Sequence, residues 1–459
     1  MSKSPHSDII TEEAATRGAR RLVWSAAIGT MLYSATAMPY TMLLDRYGAS
    51  GTMQGVAGAI AQFALLAQLP GAFVAETLRS RKLFFLSQLL ACRLLWFTPA
   101  IVVCLMPFSD ARALNIILLA VAISHLLDQF PAAAWYSWLA DLIPARARGK
   151  FWTNRQIAMS VTTLVGTLAC GLLLDKLGAF FGERPAFATV FTIGVGLGVT
   201  GAVIHWFVPE PRQVRVPLTR DFLASARGRI VGPLSNPAFR RLALAMGAFT
   251  FAIAAPAPFV ALFLRERYAA SYAALALIPL AAALGMVLFG KIFSRMMDRV
   301  GARNAGAACM VLAPALTVLA WLFAGPGTWT LALPWLGAVE LHRGVTLVIA
   351  GSFAGAGLFL SVGVAHMVRV ADVVPERGKT VAMALQFTII SLFGTAGAFA
   401  GGRLVDVVKA AAPDGFPLTL PGGESFRHIH LLILIQALVI WCAALPLFLK
   451  KQIPKFPNP

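Results

Sequence analysis

Charged side chains are scarce in this chain. Asp, Glu, Lys and Arg make up 13% of its 459 residues, whereas a soluble domain carries about 25%. Hydrophobic residues reach 58%, and the mean hydropathy is +0.74. Because so few charged groups are available to cover a water-exposed surface, this composition excludes an ordinary soluble globular protein and indicates a membrane protein.

Cysteine is also rare. The five cysteines all lie inside apolar stretches, and none has CxxC spacing: Cys92, Cys104, Cys170, Cys309 and Cys442. Disulfide frameworks and structural metal sites depend on paired or closely spaced cysteines. We therefore expect neither, and we expect these thiols to serve as small buried apolar groups.

The chain lacks the motifs on which many enzymes depend. No Walker loop, zinc-binding motif or nucleophile elbow is present, and the segments between the apolar stretches are too short to fold alone. We therefore expect no enzymatic activity, no ATP-driven transport, no cofactor and no bound metal.

Long apolar blocks fill most of the sequence. A helix that crosses a bilayer needs about 20 apolar residues, and the blocks are rich in Ala, Leu and Gly without the alternation of a membrane β-barrel. They predict an all-α membrane protein of twelve helices, which we number as spans one to twelve. The blocks cover residues 22–45, 53–76, 83–107, 114–140, 155–179, 186–208, 239–263, 272–297, 304–325, 345–370, 380–405 and 428–449.

Two similar loop segments lie about 230 residues apart, at 141–150 and 372–379. Each is followed by an apolar block that contains a Gly-Thr pair, at 166–167 and at 394–395. Segments that recur in matching order indicate an internal duplication. Duplicated membrane halves are typical of transporters in which one half rocks against the other.

The longest connection separates the two halves and is rich in proline and arginine. It predicts the following division: a tail at 1–21, a six-helix bundle at 22–208, a linker at 209–238, a second six-helix bundle at 239–449 and a tail at 450–459. The linker is interpreted either as a plain basic connection or as an amphipathic segment lying on anionic lipid headgroups.

The net charge of +19 is distributed unevenly. If both termini are cytoplasmic, most of the 39 Lys and Arg residues lie on cytoplasmic segments, as the positive-inside rule requires. This pattern predicts an even number of spans, a multi-pass location in the inner or plasma membrane, and both termini inside the cell. It also argues against nucleic-acid binding, which a soluble protein of this charge would suggest.

The connection between spans eight and nine contains Asp298, Arg299, Gly301 and Arg303 in the pattern Asp-Arg-x-Gly-x-Arg. Together with the two recurring loops and the twelve spans, this pattern resembles the major facilitator superfamily. The loop between spans two and three lacks the same core. The resemblance implies two pseudo-symmetric bundles around a cavity lined by spans one, four, seven and ten. It also implies a set of cytoplasmic gating residues: Asp141, Arg148, Gly149, Asp298, Arg299, Gly301, Arg303, Asp372, Arg377 and Gly378.

Ionisable side chains near the middle of the bilayer are costly and therefore candidates for function. Arg93 lies in span three, and His125 and Asp128 share one face of span four. Because the two spans run in opposite directions, Arg93 and Asp128 are expected at similar depth, where they could pair. Three roles stay open: proton coupling through Asp128, direct contact with an anionic substrate, and a static pair that orders the first bundle.

Further polar side chains are candidates for the cavity wall. Tyr33 and Tyr40 lie seven residues apart on one face of span one, and aromatic packing between helices is the alternative. Gln62 and Gln129 are candidate hydrogen-bonding groups in spans two and four.

These features favour a secondary active transporter that moves a small organic solute by alternating access, coupled to protons. An uncoupled uniporter or exchanger is one alternative, and a non-transporting membrane sensor or assembly factor is another. The expected partners are a small-molecule substrate, protons and membrane lipids, and the protein is expected to be a monomer.

Overall fold

Helices make up almost all of the computed structural model, which describes residues 12–211, 232–333, 337–373 and 379–449. The all-α prediction is confirmed, with two short β-hairpins added. The helices are α1 (Glu12–Arg46), α2 (Gly51–Ala64), α3 (Gln68–Thr77), α4 (Arg81–Leu95), α5 (Thr98–Leu105), α6 (Arg112–Gln129), α7 (Ala132–Leu142), α8 (Ala145–Phe181), α9 (Glu183–Trp206), α10 (Pro237–Ala254), α11 (Ala257–Tyr268), α12 (Tyr272–Phe323), α13 (Arg343–Val373), α14 (Lys379–Ala411) and α15 (His428–Leu449).

Ten helical segments in the described part of the chain are long and apolar enough to cross a membrane. They correspond to spans two to eleven. Span one lies within α1, and span twelve lies within α15, whose apolar stretch His428–Ala444 is shorter. All twelve predicted blocks therefore coincide with helices, which is consistent with the twelve-span prediction.

The chain divides into two compact units. The first comprises Met1–Gly48 and Ala64–Leu223, and the second comprises Ala49–Phe63 and Ala224–Pro459. The predicted division at the linker 209–238 stays a prediction, since residues 212–231 lie outside the described residues.

An aromatic cluster packs one end of the first unit. Phe85 of α4 contacts Trp135 and Trp138 of α7, with ring centroids 6.0 and 6.4 Å apart. Leu22 of α1 and Val208, which follows α9, complete the cluster and are almost fully buried. This packing joins spans one, three, four and six at the end that the charge distribution assigns to the cytoplasm.

Span four is broken near its middle. Helix α6 ends at Gln129 and α7 begins at Ala132, with Pro131, which has no backbone N–H, between them. Gly71 of α3 packs directly on this break, where a Cβ atom would overlap the carbonyl oxygen of Phe130. Only glycine therefore allows span two to approach the break this closely.

The same close approach recurs in the second unit. A Cβ on Gly285 of span eight would overlap the carbonyl oxygen of Phe353 in span ten. Spans eight and ten are the duplicated counterparts of spans two and four. This pair of contacts therefore supports the duplication independently of the loop segments from which it was predicted.

The glycines of the two Gly-Thr pairs also pack in equivalent ways. A Cβ on Gly166 in span five would lie 2.9 Å from Cβ of Ser34 in span one. A Cβ on Gly394 in span eleven would lie 3.2 Å from Cγ2 of Thr250 in span seven. Each glycine thus allows the fifth helix of its half to lie against the first.

Two turns in the second unit follow from glycine and proline. Helix α12 contains spans eight and nine, and its direction changes at Gly301, where φ is +79°. This left-handed conformation is readily adopted by glycine, so Gly301 permits the turn between the two spans. Span seven is broken between α10 and α11, and Pro256 precedes the first residue of α11.

Two hairpins connect helices on the predicted outer face. Strand β1 (Thr328–Leu333) pairs antiparallel with β2 (Gly337–His342), and β3 (Phe416–Thr419) pairs with β4 (Ser425–Phe426). The buried carboxylate of Glu424 holds the second hairpin, because it accepts a 2.9 Å hydrogen bond from Arg267 Nε. The hairpins were not predicted from the sequence.

Candidate functional site

Arg93 and Asp128 come together inside the first unit. Arg93 lies in α4 and Asp128 in the last turn of α6, and Arg93 Nη2 is 4.0 Å from Asp128 Oδ1. The arginine side chain is 9% exposed and the aspartate side chain 21%. The structure therefore places opposite charges side by side within the membrane-spanning region, where each makes the burial of the other less costly. Their functional role stays a prediction.

The arginine is enclosed by other spans. Its guanidinium carbon lies 4.8 Å from the centre of the Tyr33 ring in span one, within the range of a cation–π interaction. A Cβ on Gly198 of span six would lie 3.2 Å from Arg93 Cδ, so this glycine leaves room for the arginine stem. Nε and Nη1 of Arg93 are buried without a hydrogen-bond acceptor among the described residues.

A chain of amides reaches the other oxygen of Asp128. Gln129 Nε2 donates to Asp128 Oδ2 at 2.9 Å, and Gln68 Nε2 donates to Gln129 Oε1 at 2.7 Å. Gln68 begins α3 in span two, so the chain connects spans two and four beside the break in span four. The carboxylate is therefore held from two sides, by a guanidinium and by an amide.

Cys92 and Ser124 also border the carboxylate and were not singled out from the sequence. Cys92 Sγ lies 4.0 Å from Asp128 Oδ1 and 3.3 Å from Ser124 Oγ. Ser124 Oγ in turn donates to the carbonyl of Cys92 at 3.2 Å. Their positions in the sequence could have indicated them, because Ser124 lies one helical turn before Asp128 and Cys92 directly precedes Arg93.

His125, on the same helix as Ser124 and Asp128, begins a row of aromatic rings that continues through Trp96 and Tyr40. Its ring is 5.9 Å from that of Trp96, and Trp96 is 5.7 Å from Tyr40, both edge to face. Tyr40 is only 7% exposed, an arrangement that matches the aromatic-packing alternative for this residue. A cavity role for Tyr40 stays a prediction.

Gln62 lies in the second unit, beside span eleven. Its backbone carbonyl accepts a hydrogen bond from Ser391 Oγ. Its side-chain Oε1 would be 3.2 Å from a Cβ on Gly394, the glycine of the second Gly-Thr pair. Its predicted cavity role is a matter for experiment.

Among the gating candidates of the first half, Asp141 has a defined partner. Arg81 Nη1 donates to Asp141 Oδ2 and to Ser137 Oγ, each at 2.6 Å, and Arg81 is 3% exposed. The loop between spans two and three thus supplies an arginine to span four, although it lacks the Asp-Arg-x-Gly core. Arg148 and Gly149 lie within α8, but their side-chain surroundings are outside the described part of the structure.

Three of the gating candidates of the second half lie close in sequence to the turn at Gly301. Asp298 and Arg299 are exposed on the preceding helical turn. Arg303 lines a cavity of about 30 Å³ together with His366 and Arg369 of α13. Asp372 lies near the end of α13, in a part whose side chains the structure does not describe. Arg377 and Gly378 lie outside the described residues.

Asp406, near the end of span eleven, caps a helix. Its carboxylate accepts hydrogen bonds from the backbone N–H groups of Gly51 and Thr52, at 2.6 and 2.8 Å. It also accepts one from Thr52 Oγ1 at 2.5 Å. These contacts satisfy two of the free donors at the start of α2.

Comparison with known proteins agrees with this arrangement. The model of the family described as Major Facilitator Superfamily matches residues 22–398. The chain belongs to the major facilitator superfamily. No curated protein matches it in sequence.

Solved structures of transporters share the fold of this superfamily member. A bacterial homologue of the human lysosomal transporter Spinster, inward-facing and unoccupied, superposes with a TM-score of 0.69 at 15% identity, covering 96% of this chain and 98% of that chain. The nucleoside transporter NupG gives 0.67 at 12% identity, covering 95% and 100%. A POT family transporter in complex with a thioalcohol-conjugated peptide gives 0.64 at 11% identity, covering 94% and 95%.

Family membership and the ten apolar helices identify a multi-pass membrane protein of a transporter family. The family and fold point to membrane transport of a small molecule rather than to an enzymatic reaction. Because the structural neighbours are only 11–15% identical to this chain, they support its fold and do not define its substrate.

Proposed function

We propose that this superfamily member is a proton-coupled secondary transporter of a small organic solute, and that Asp128 carries the proton. The observation that supports the proposal is the partly exposed carboxylate of Asp128, paired with a nearly buried Arg93 inside the first unit. Carboxylates within spans are costly, and they mark proton and substrate pathways in many transporters.

Protonation of Asp128 changes the net charge of the pair. The ionised pair is neutral, whereas protonation leaves the guanidinium of Arg93 without its counter-ion in a poorly solvated place. An uncompensated buried charge is strongly unfavourable, so the two protonation states favour different surroundings for Arg93. A ligand or a conformational change that supplies this compensation is thereby linked to the proton.

A second candidate function is supported by the unused donors of Arg93. Its Nε and Nη1 are buried without an acceptor among the described residues, and buried donors normally have partners. A carboxylate or phosphate on the substrate would supply a charged acceptor for one of these donors, and charge-assisted hydrogen bonds of this kind are strong. In that case the protein would be an uncoupled uniporter or exchanger of an anionic solute.

The charge distribution supports further parts of the proposal. Both termini lie in the cytoplasm, as the positive-inside rule indicates, and we further propose that the protein acts as a monomer in the inner or plasma membrane. Arg81 with Asp141, and the cavity with Arg303, then lie at the cytoplasmic ends of their units and serve the gate. Cysteines placed at Ser2 and Asn458 should resist impermeant thiol reagents in intact cells. Labelling at either position would contradict the cytoplasmic location of that terminus.

Thermal unfolding of the purified protein against a panel of solutes, at pH 6 and pH 8, tests the proposed function. A ligand at about 100 times its dissociation constant stabilises the folded state by about 2.7 kcal/mol. Proton coupling predicts a solute whose stabilisation depends on pH in wild type and loses that dependence in Asp128→Asn. Stabilisation by anionic solutes that is independent of pH and lost in Arg93→Gln would favour the second candidate instead.

A further inference from the structure

A groove of about 730 Å³ opens on the first unit between spans three and six. Its walls are apolar and include Leu83, Leu90, Val203 and Trp206, with exposed fractions of 56%, 40%, 50% and 57%. This volume is within the range of about 300–1,000 Å³ for pockets that hold a small molecule. The walls belong to helices α4 and α9, whose apolar outer faces lie within membrane-spanning segments.

One end of the groove is polar. Arg79 and Ser80, which precede α4, line it there, and Arg79 is exposed. Lys82 Nζ donates to the carbonyls of Trp206 and Val208, at 2.6 and 2.8 Å, and lies 6.0 Å from the centre of the Trp206 ring.

The carboxylate of Glu210 at this end is already engaged. Glu210 accepts hydrogen bonds from Ser80 Oγ at 2.6 Å and from the backbone N–H of Lys82 at 2.9 Å. A further cation, Arg21, donates to the carbonyl of Phe207 at 2.5 Å. Among the described side chains at this end, the three cations Arg21, Arg79 and Lys82 stand against the carboxylate of Glu210, so the mouth of the groove carries a positive charge.

We propose that this groove binds one anionic phospholipid from the leaflet on this side of the membrane. The phosphate of its headgroup lies against Arg79 and Lys82, and one acyl chain lies along Leu83, Leu90 and Val203. A tryptophan beside cations at the end of a span is the arrangement found at the headgroup level of bilayers. Basic pockets between membrane helices bind anionic headgroups.

The apolar length of the groove selects a lipid rather than a soluble anion. A free phosphate would use only the polar end, and the exposed walls would gain nothing from it. A phospholipid bound in the groove covers the apolar walls with its acyl chain, while its phosphate contacts the cations. The site is separate from the Arg93–Asp128 pair, so its test does not require the transported solute.

The test is thermal unfolding of the purified, delipidated protein with added phosphatidylglycerol or phosphatidylcholine of identical acyl chains. We expect stabilisation by phosphatidylglycerol at concentrations where phosphatidylcholine gives none. Each basic residue near an anionic lipid surface contributes enough for Arg79→Gln to weaken the apparent affinity about fivefold. Arg241→Gln, which removes an exposed arginine from α10 in the second unit, is the matched control and should leave the affinity unchanged.

Val203→Trp provides a second variant that fills the groove without changing its charge. Since Val203 is half exposed, the larger side chain is tolerated, and it should reduce the stabilisation by phosphatidylglycerol. Glycerol phosphate, which carries the headgroup chemistry without acyl chains, should not stabilise wild type. Equal effects of the two lipids, equal losses in Arg79→Gln and Arg241→Gln, or full stabilisation by glycerol phosphate would each overturn the proposal.

Discussion

Arg93 and Asp128 form an ion pair across spans three and four, with Arg93 Nη2 4.0 Å from Asp128 Oδ1. Spans three and four run in opposite directions, so residues far from either loop reach the same depth. The pair concentrates both charges at one point of the first unit, beside the break in span four. We base the proposed proton-carrying role of Asp128 on this placement. A pair that only stabilised the fold would not require it.

The first prediction concerns the coupling between these two residues. Arg93→Gln and Asp128→Asn should each destabilise the protein, because each leaves one charge without its partner. The double variant should be more stable than either single variant, with a coupling energy of about 0.5–3 kcal/mol. Thermal unfolding of the four proteins in one detergent measures this cycle. Additive effects of the two substitutions would show that the side chains do not interact.

The second prediction concerns the glycines that meet helix carbonyls. Gly71→Ala and Gly285→Ala should each destabilise the protein by about 1–3 kcal/mol, because the new methyl group overlaps the carbonyl of Phe130 or of Phe353. Gly178→Ala is the matched control, since a Cβ there meets nothing within 4 Å within helix α8. Alanine should be neutral or stabilising at that position. Similar unfolding temperatures for all three variants would contradict the close helix approach.

The third prediction concerns the cap that Asp406 provides for α2. Asp406→Ala should destabilise the protein by about 1 kcal/mol, the usual cost of losing a capping side chain. Asp406→Asn retains an oxygen acceptor for Thr52 and should lose less. Hydrogen exchange at the first amides of α2 measures the effect directly. Exchange that is equally fast in wild type and in Asp406→Ala would show that the cap does not protect this end.

The fourth prediction concerns pH and the outer hairpin β1–β2. Burial lowers the pKa of His342, and the nearby charge of Arg343 lowers it further, while Glu424 opposes the shift. The ring also stacks on Tyr268, with centroids 4.5 Å apart. Because the unfolded state then binds the proton more readily, the hairpin should lose stability as the pH falls through the unfolded value of about 6.5.

Hydrogen exchange of the hairpin amides at pH 7.5 and pH 5.5 measures this loss. His342→Gln cannot titrate and should show a smaller difference between the two pH values than wild type. An equal difference in both proteins would assign the pH dependence to other groups.

Composition predicted the spans because a membrane helix must satisfy its own backbone polar groups and keep its surface apolar. The same scarcity of charge drew attention to Arg93 and Asp128, since few ionisable groups occur inside the spans. The loop motif at Asp298 to Arg303 carried the family resemblance, and the turn at Gly301 follows from its glycine.

Other features depend on contacts between distant segments, which periodicity does not reveal. Arg81 appeared in the sequence as one of many cytoplasmic cations, and only the fold places it 2.6 Å from Asp141. Cys92 and Ser124 looked like ordinary small residues of apolar helices. The hairpins lie in connections between spans, where the pairing of Glu424 with Arg267 cannot be inferred from spacing alone.

Uptake into proteoliposomes under an imposed pH gradient tests the central claim most directly, with the solute identified by thermal stabilisation. Wild type should accumulate the solute against its gradient. Asp128→Asn should lose accumulation yet retain exchange of labelled for unlabelled solute, because alternating access does not need the proton once the carboxylate is neutral. Asp110→Asn, a carboxylate in the loop before α6, should behave as wild type. Accumulation by Asp128→Asn to the wild-type level would show that Asp128 does not carry the coupled proton.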